Sequence, residues 1–418
     1  MIPIDPNAWF WFISVTLVLI QVMDLVSTKL NLRALSPELP PSMADVYDAE
    51  KYAQSQAYTR TNSRFGQWES VVSLILFLAF WLLGGFGWLD GVVRGWGFGP
   101  LASGLIYVSL LFAANHVISL PLGIYDTFVI EEKFGFNQTT PRTFVIDQIK
   151  GIVLGAVIGL PLLALVMWIF QALPMAWLWG WGAMTVVTLA LAYIAPTWIM
   201  PLFNKFEPLP DGELKTAIHQ MAEGCDFPLR EVMVMDGSKR SSKSNAFFTG
   251  IGKNKRIALF DTLVERHSTS ELVAVLAHEI GHYRKRHIQK GLIMGLLTNG
   301  LLFFLLGLVL ENRGLFDAFG VAETSIYLSL VFFGILVQPL NQVLAIFGNV
   351  SSRRWEFEAD AFAAEVTSAP ESLVSALKKL SKDNLSNLTP HPFHVFLNYS
   401  HPPVMVRIAA LESGSEKG

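Results

Sequence analysis

The chain has 418 residues, 52% of them hydrophobic and only 16% charged, and its mean hydropathy is +0.43. Soluble domains carry about 25% charged residues, so a soluble globule of this composition would lack polar surface, and an integral membrane protein is expected. A net charge of −3 excludes a strongly basic nucleic-acid footprint, and the single cysteine, Cys225, excludes both an intramolecular disulfide framework and a cysteine-rich zinc site.

Taken in chain order, the N-terminus has no Lys or Arg before its first apolar run and no small-residue cleavage pattern, so it reads as a retained span. Apolar runs long enough to cross a bilayer then recur. They predict seven spans, at residues 8–26, 68–88, 101–127, 149–170, 176–200, 291–310 and 325–347. The fourth and fifth are separated only by residues 171–175, which predicts a helical hairpin. With the N-terminus outside, the outer segments hold only Arg94 and Arg313 of the 31 Lys and Arg residues. That asymmetry follows the positive-inside rule and puts the polar segments 201–290 and 348–418 on the cytosolic side. The organisation expected is transmembrane helices over 1–200, a polar domain in two parts (201–290 and 348–418), and a transmembrane hairpin at 291–347 inserted between them. Within the polar part, 213–224 predicts a helix, and 231–235 and 256–260 predict short strands. The fold class is therefore mainly α, with a small β element.

The strongest chemical signal is His278-Glu279-Ile280-Gly281-His282. On a helix, residues i and i+4 share a face, so two imidazoles can converge on one metal. Ser268 and Glu271 have capping-box spacing just upstream, and Leu272, Val273, Val275, Leu276 and Ala277 carry the helix into the motif. Two neutral imidazoles suit Zn²⁺. Glu279 points about 100° round the helix, badly placed to ligate but well placed to accept a proton from water. The plain alternative is a chance pentapeptide on an amphipathic helix, against which the helix context weighs.

A catalytic zinc needs a third protein ligand. Glu356 and Asp360, four apart, share a helix face. Glu356 can bind the metal, while Asp360 can accept the second ring N–H of a liganding histidine. Glu358 lies nearly opposite Glu356. The alternative pairs Glu356 and Glu358 with Arg353 and Arg354 on the surface; beside the metal motif, the ligand reading weighs more. Ser244-Asn245-Ala246-Phe247-Phe248 precedes the second strand. An edge strand there could bind a peptide by strand addition, although a Ser-Asn pair is usually only a turn. Tyr399-Ser400-His401-Pro402-Pro403, with Arg407, could supply a donor for a developing oxyanion, or could simply announce a helix. His287, in a basic cluster, reads as a membrane-edge residue rather than a ligand. His116 lies inside the third span and reads as cavity-lining.

Together with Leu120-Pro121, Glu131-Glu132-Lys133-Phe134-Gly135-Phe136-Asn137, Met200-Pro201-Leu202-Phe203-Asn204, Lys382-Asp383-Asn384-Leu385 and Ser400-His401-Pro402-Pro403, these motifs form an ordered set over nearly the whole chain. The set resembles the type I CAAX prenyl proteases, seven-span zinc metallopeptidases. The resemblance implies a helical barrel around a water-filled chamber, capped by a zincin-like metallopeptidase domain. It implies one Zn²⁺ held by His278, His282 and Glu356, with Glu279 as general base and His401 as a second catalytic residue. Asn245 and Arg407 would contact the substrate or transition state. The implied partners are the lipid bilayer and a peptide or protein substrate prenylated at a C-terminal CAAX sequence. The implied membrane is the inner membrane in a bacterium or the endoplasmic reticulum in a eukaryote. A broad-specificity quality-control zinc protease of the HtpX-like kind and a transporter with a structural metal are the alternatives. Against a transporter, no matched pair of broken helices is evident. Against a structural zinc, two His and one Glu leave a coordination position open.

Overall fold

The computed structural model describes residues 2–249 and 255–415. It opens with α1 (Ala8–Arg33), capped by Asn7, and α2 (Ala49–Leu82). The chain turns at Gly84 (φ 76°) into α3 (Gly85–Gly95). A Cβ on Gly85 would lie 2.4 Å from the Phe80 ring and 2.6 Å from the Phe80 carbonyl oxygen, so only glycine allows this turn. The second expected span therefore ends at Leu82 rather than at 88, stopped by a glycine pair inside an apolar run. Next come α4 (Pro100–Tyr125), α5 (Pro141–Ala172) and α6 (Ala176–Ile194). α5 and α6 pack as the expected hairpin. A π-helical stretch, Asp126–Glu131, prolongs α4, and another, Ala195–Ile199, prolongs α6.

The polar region opens with β1 (Phe206–Pro208), α7 (Glu213–Gly224) and β2 (Leu229–Met235), followed by β3 (Ala246–Thr249) and β4 (Lys255–Phe260). The sheet order is β1-β2-β4-β3, with β2 and β4 parallel and both outer pairs antiparallel. The helix at 213–224 and the two central strands stand where the sequence predicts them. The two outer strands complete the sheet, with β3 at one edge. After α8 (Asp261–Arg266) comes α9 (Thr269–Arg284), whose capping box is formed by Ser268 and Glu271 in both directions. Arg286 adopts a left-handed conformation (φ 60°) and starts α10 (His287–Val309). α11 (Arg313–Ala318) and α12 (Ile326–Leu336) lead to α13 (Gln338–Thr367), then α14 (Pro370–Asp383), α15 (Pro392–Asn398) and α16 (Val404–Ser415).

Among the described residues, six helices are long and apolar enough to cross a membrane; α12 and α13, bent by 53°, supply a seventh span if counted as one. The seventh expected span is thus a broken one, and α13 runs on without interruption past position 347 into the polar region. Large apolar side chains stay exposed along these helices, such as Phe112, Val157 and Leu297, as a surface in contact with lipid requires. One apolar core joins the membrane helices around Trp81, Phe316, Phe319 and Phe332. α11 belongs to this core through Leu315 and Phe316. A second core packs α9 against the sheet through Leu272, Leu276, Ile257 and Leu259. A third joins α9 to α14 and α16 through Ala274, Ala277, Leu373, Leu377 and Ile408.

Candidate active site

α9 and α13 cross closely because Gly281 faces Ala359. The crossing brings His278, His282 and Glu356 together, with one potential ligand atom from each within 4.8 Å of the others. The two Nε2 atoms are 3.1 Å apart. Two nitrogens held by one tetrahedral zinc would be separated by about 3.3 Å. Glu356 Oε1 lies 3.3 Å from His282 Nε2, and Oε2 lies 3.5 Å from His278 Nε2. Oε2 is buried with no aligned hydrogen-bond donor, although Arg407 Nη1 is 3.3 Å away. Two imidazole nitrogens facing each other beside a buried carboxylate oxygen with no aligned donor form a ligand set that suits a divalent cation.

Asp360 sits where the helical spacing predicts, with Oδ1 2.8 Å from His278 Nδ1. Arg407 donates to both of its oxygens, at 2.6 and 2.8 Å. Burial alone would raise the Asp360 carboxyl, but the bonds from His278 and Arg407 outweigh it and hold the pKa at about 2. Arg407 is itself buried, and its guanidinium is engaged by these two acids. Glu356 behaves similarly: burial pushes it up, but His282, His278 and Arg407 draw it below its usual value. Glu279 stands on the same helix as the two histidines, and burial raises its carboxyl against their pull.

His401, exposed at the start of the segment leading into α16, places Nε2 3.4 Å from Glu356 Oε1. Its Nδ1 lies 3.0 Å from Ser400 Oγ. Asn245 precedes β3, which packs beside α9; its side chain caps the Ala246 N–H at 2.8 Å, and its carbonyl accepts from Phe260. A cleft of about 360 Å³ opens at the cluster, lined by Glu279, His282, His287, Phe247, Ile288 and Trp355. His116 is half-exposed on α4.

Two sets of contacts escape a reading of the sequence. His287, expected at a membrane edge, is buried against His282, with Glu358 behind it. The segment 131–137, legible only through the resemblance, clamps the chain leading into β3. Lys243 pairs with Glu131 at 2.8 Å beside Tyr58, Asn137 bridges Ser241, and the Arg240 carbonyl accepts from Gln138. Asn384 brackets Ser244, accepting from its N–H and donating to its C=O at 3.1 and 3.2 Å. No helical or strand period signals the contacts around the start of β3, because each joins residues more than 100 apart.

Comparison with known proteins agrees with this geometry. Residues 28–205 match the CAAX prenyl protease N-terminal family, described by five membrane helices, and residues 208–415 match peptidase family M48. The chain is 36% identical to a CAAX prenyl protease 1 homolog of Oryza sativa, over 95% of this chain and 96% of that one. It is 37% identical to CAAX prenyl protease 1 of Saccharomyces cerevisiae, over 91% and 90%. The crystal structure of S. mikatae Ste24p superposes with a TM-score of 0.92 at 34% identity, covering 97% of this chain and 99% of that one. The expected fold, a helical membrane chamber carrying a protease domain, is therefore the one observed. With a His-His-Glu cluster at the end of a multi-pass helical membrane fold, the chain belongs to peptidase family M48 and is a membrane metalloprotease of the CAAX prenyl protease type.

Proposed function

We propose that this protein is a zinc endopeptidase that removes the last three residues from prenylated proteins ending in a CAAX sequence, on the cytosolic face of its membrane. The observation that carries the chemistry is the convergence of His278, His282 and Glu356 beside Glu279 in a cleft flanked by β3. Zinc held by the first three residues would supply Lewis acidity toward a scissile carbonyl and make water more acidic. Glu279 accepts the proton of the attacking water and returns it to the leaving amine. His401, exposed and 3.4 Å from Glu356, donates to the developing oxyanion. Arg407 and Asp360 hold Glu356 and His278 in place. The substrate backbone adds to the edge of β3 near Asn245, and Phe247, Ile288 and Trp355 receive an apolar side chain.

On this reading, residues 201–290 and 348–418 form one metallopeptidase unit into which the 291–347 hairpin is inserted. The core shared by Ala274, Ala277, Leu373 and Ile408 supports it. The charge asymmetry of the loops supports the cytosolic orientation. The prenylated substrate rests on the names of the relatives.

The test uses purified protein in detergent with zinc content measured. Wild type and Glu279→Gln are incubated with a CAAX peptide, farnesylated or not, and the products are read by mass spectrometry. Wild type should release the C-terminal tripeptide, faster from the farnesylated peptide. Glu279→Gln should keep its zinc and lose about 10²–10⁴-fold in rate. Scattered cleavage with no preference for the lipid would replace the CAAX reading with a quality-control protease. Full activity of Glu279→Gln would remove the assigned base.

A further inference from the structure

Each histidine of the cluster has a second ring nitrogen, and that nitrogen's partner fixes the tautomer and the direction of the ring. For His278 the partner is direct: Nδ1 lies 2.8 Å from Asp360, which is held in turn by Arg407. Among the described residues, no carboxylate stands at that position for His282. Its Nδ1 lies 3.1 Å from Nδ1 of His287, and Nε2 of His287 lies 3.1 Å from Oε2 of Glu358. The other oxygen of Glu358 lies 3.3 Å from Arg354 Nε. His287 is only 3% exposed, and its ring stacks on Trp355 at 5.3 Å with the planes 8° apart.

We propose that His287 and Glu358 are positioning residues that orient His282 for the metal through an imidazole relay, the counterpart of the direct Asp360 contact on His278. This inference rests on the metal assignment above. The proton positions follow from that assignment. With His282 Nε2 turned to the metal, its Nδ1 carries the hydrogen and donates to His287 Nδ1. The His287 hydrogen is then on Nε2 and donates to Glu358. Every ring N–H has an acceptor and every ring lone pair a use. No other placement of the two hydrogens satisfies all three contacts with neutral rings.

The relay needs an imidazole because of helix geometry. Glu356 and Asp360 share the face of α13 that meets His278, whereas Glu358 projects away from it. The left-handed turn at Arg286 brings the first residue of α10 back over α9 and inserts its ring into the gap. Trp355 fixes the plane of that ring. Four of the six residues from 355 to 360 (Trp355, Glu356, Glu358 and Asp360) therefore reach a liganding histidine or its support, on two different sides of α13.

The test measures zinc affinity of the full-length protein in detergent by competition with a chromogenic chelator. The visible spectrum of the cobalt(II)-substituted protein reports ligand geometry, and thermal unfolding of the metal-free protein reports the fold. His287→Leu fills the space but cannot accept from His282, and should weaken zinc binding about 10–100-fold and shift the cobalt bands. His287→Asn places Oδ1 where Nδ1 stands and should retain most of the affinity. Glu358→Ala should weaken binding several-fold. Wild-type zinc affinity in His287→Leu would overturn the proposal. Equal losses in the Leu and Asn variants would overturn it too, since packing of the ring would then be what matters. If His287→Leu does not fold, Glu358→Ala decides, and unchanged affinity with an unchanged cobalt spectrum refutes the relay. Failure of wild type to bind zinc would instead remove the metal assignment itself.

Discussion

Gly281, the fourth residue of the metal motif, sets how closely α13 approaches α9. A Cβ built there would lie 3.1 Å from Ala359 Cα, 3.1 Å from the Phe362 ring and 3.2 Å from the Ala359 carbonyl oxygen. Carbon atoms rest at about 3.5–4.0 Å, so Gly281→Ala must push α13 back by roughly 0.4 Å. Backbone atoms cannot rotate out of the way, and Ala359 lies between Glu356 and Asp360, so both acids move with it. Metal–ligand distances tolerate only about ±0.2 Å. A misplacement of about 1 Å costs a catalyst roughly 10²-fold, so 0.4 Å should cost about tenfold in turnover, with weakened zinc affinity. The ordinary effect of the same exchange has the opposite sign, because alanine is favoured over glycine in a helix interior by about 0.5–1 kcal/mol. Gly295 on α10, with nothing within 4 Å of its Cβ position, is the matched control and should tolerate alanine. Zinc competition and peptide cleavage on both variants provide the assay. A Gly281→Ala protein that binds zinc and cleaves like wild type would refute the idea that this crossing distance sets the site.

Asp360→Asn leaves buried Arg407 facing a neutral amide and weakens the support of His278; a loss of about 3–5 kcal/mol in stability is expected from thermal or denaturant unfolding, with zinc affinity down about 10–100-fold. Asn384→Ala strips both partners from the backbone of Ser244 and should raise KM more than it lowers kcat in a peptide titration; an unchanged KM would show that the start of β3 does not need this bracket. Glu271 is pushed up by burial, but hydrogen bonds from Lys379, Ser375 and the Ser268 N–H outweigh this and hold it below its usual value. Because its folded-state pKa is depressed, its contribution is present at neutral pH and disappears as pH falls below about 4.5. Glu271→Gln should therefore be less stable than wild type at pH 7, and the difference should narrow on acidification, as followed by thermal unfolding.

The helix of the metal motif was legible because its signals are local. Ser268 and Glu271 announce its start, and the i, i+4 spacing puts both histidines on one side. The same argument places Glu356 and Asp360 together and sends Glu358 elsewhere. What it could not supply was the identity of the group waiting for Glu358. That depends on the φ of a single residue, Arg286, within a run of basic residues that looks like a membrane flank. Arg407 was visible only as part of a motif that resembles the family's. Its burial between two carboxylates depends on α16 packing against α13 and α14, which no periodicity encodes. The end of α2 was misplaced because hydropathy is blind to the turn that Gly84 and Gly85 permit. β1 is three residues long and ends in proline, and only pairing with β2 makes it a strand.

α13 begins at the 53° break within the seventh span and carries Glu356 eighteen residues later, about 27 Å along the helix axis. Such a rod is a lever: rotation by one degree at the break sweeps Glu356 through roughly 0.5 Å, more than the tolerance of a metal bond. The short arm, α12, is packed into the core of the membrane helices through Tyr327, Leu328 and Phe332, and Glu356, a ligand on the proposed assignment, sits on the long one. On the proposed metal assignment, a shift of that core reaches the site through the joint, and comparisons of activity between detergents or between bilayers of different tail length measure its stiffness.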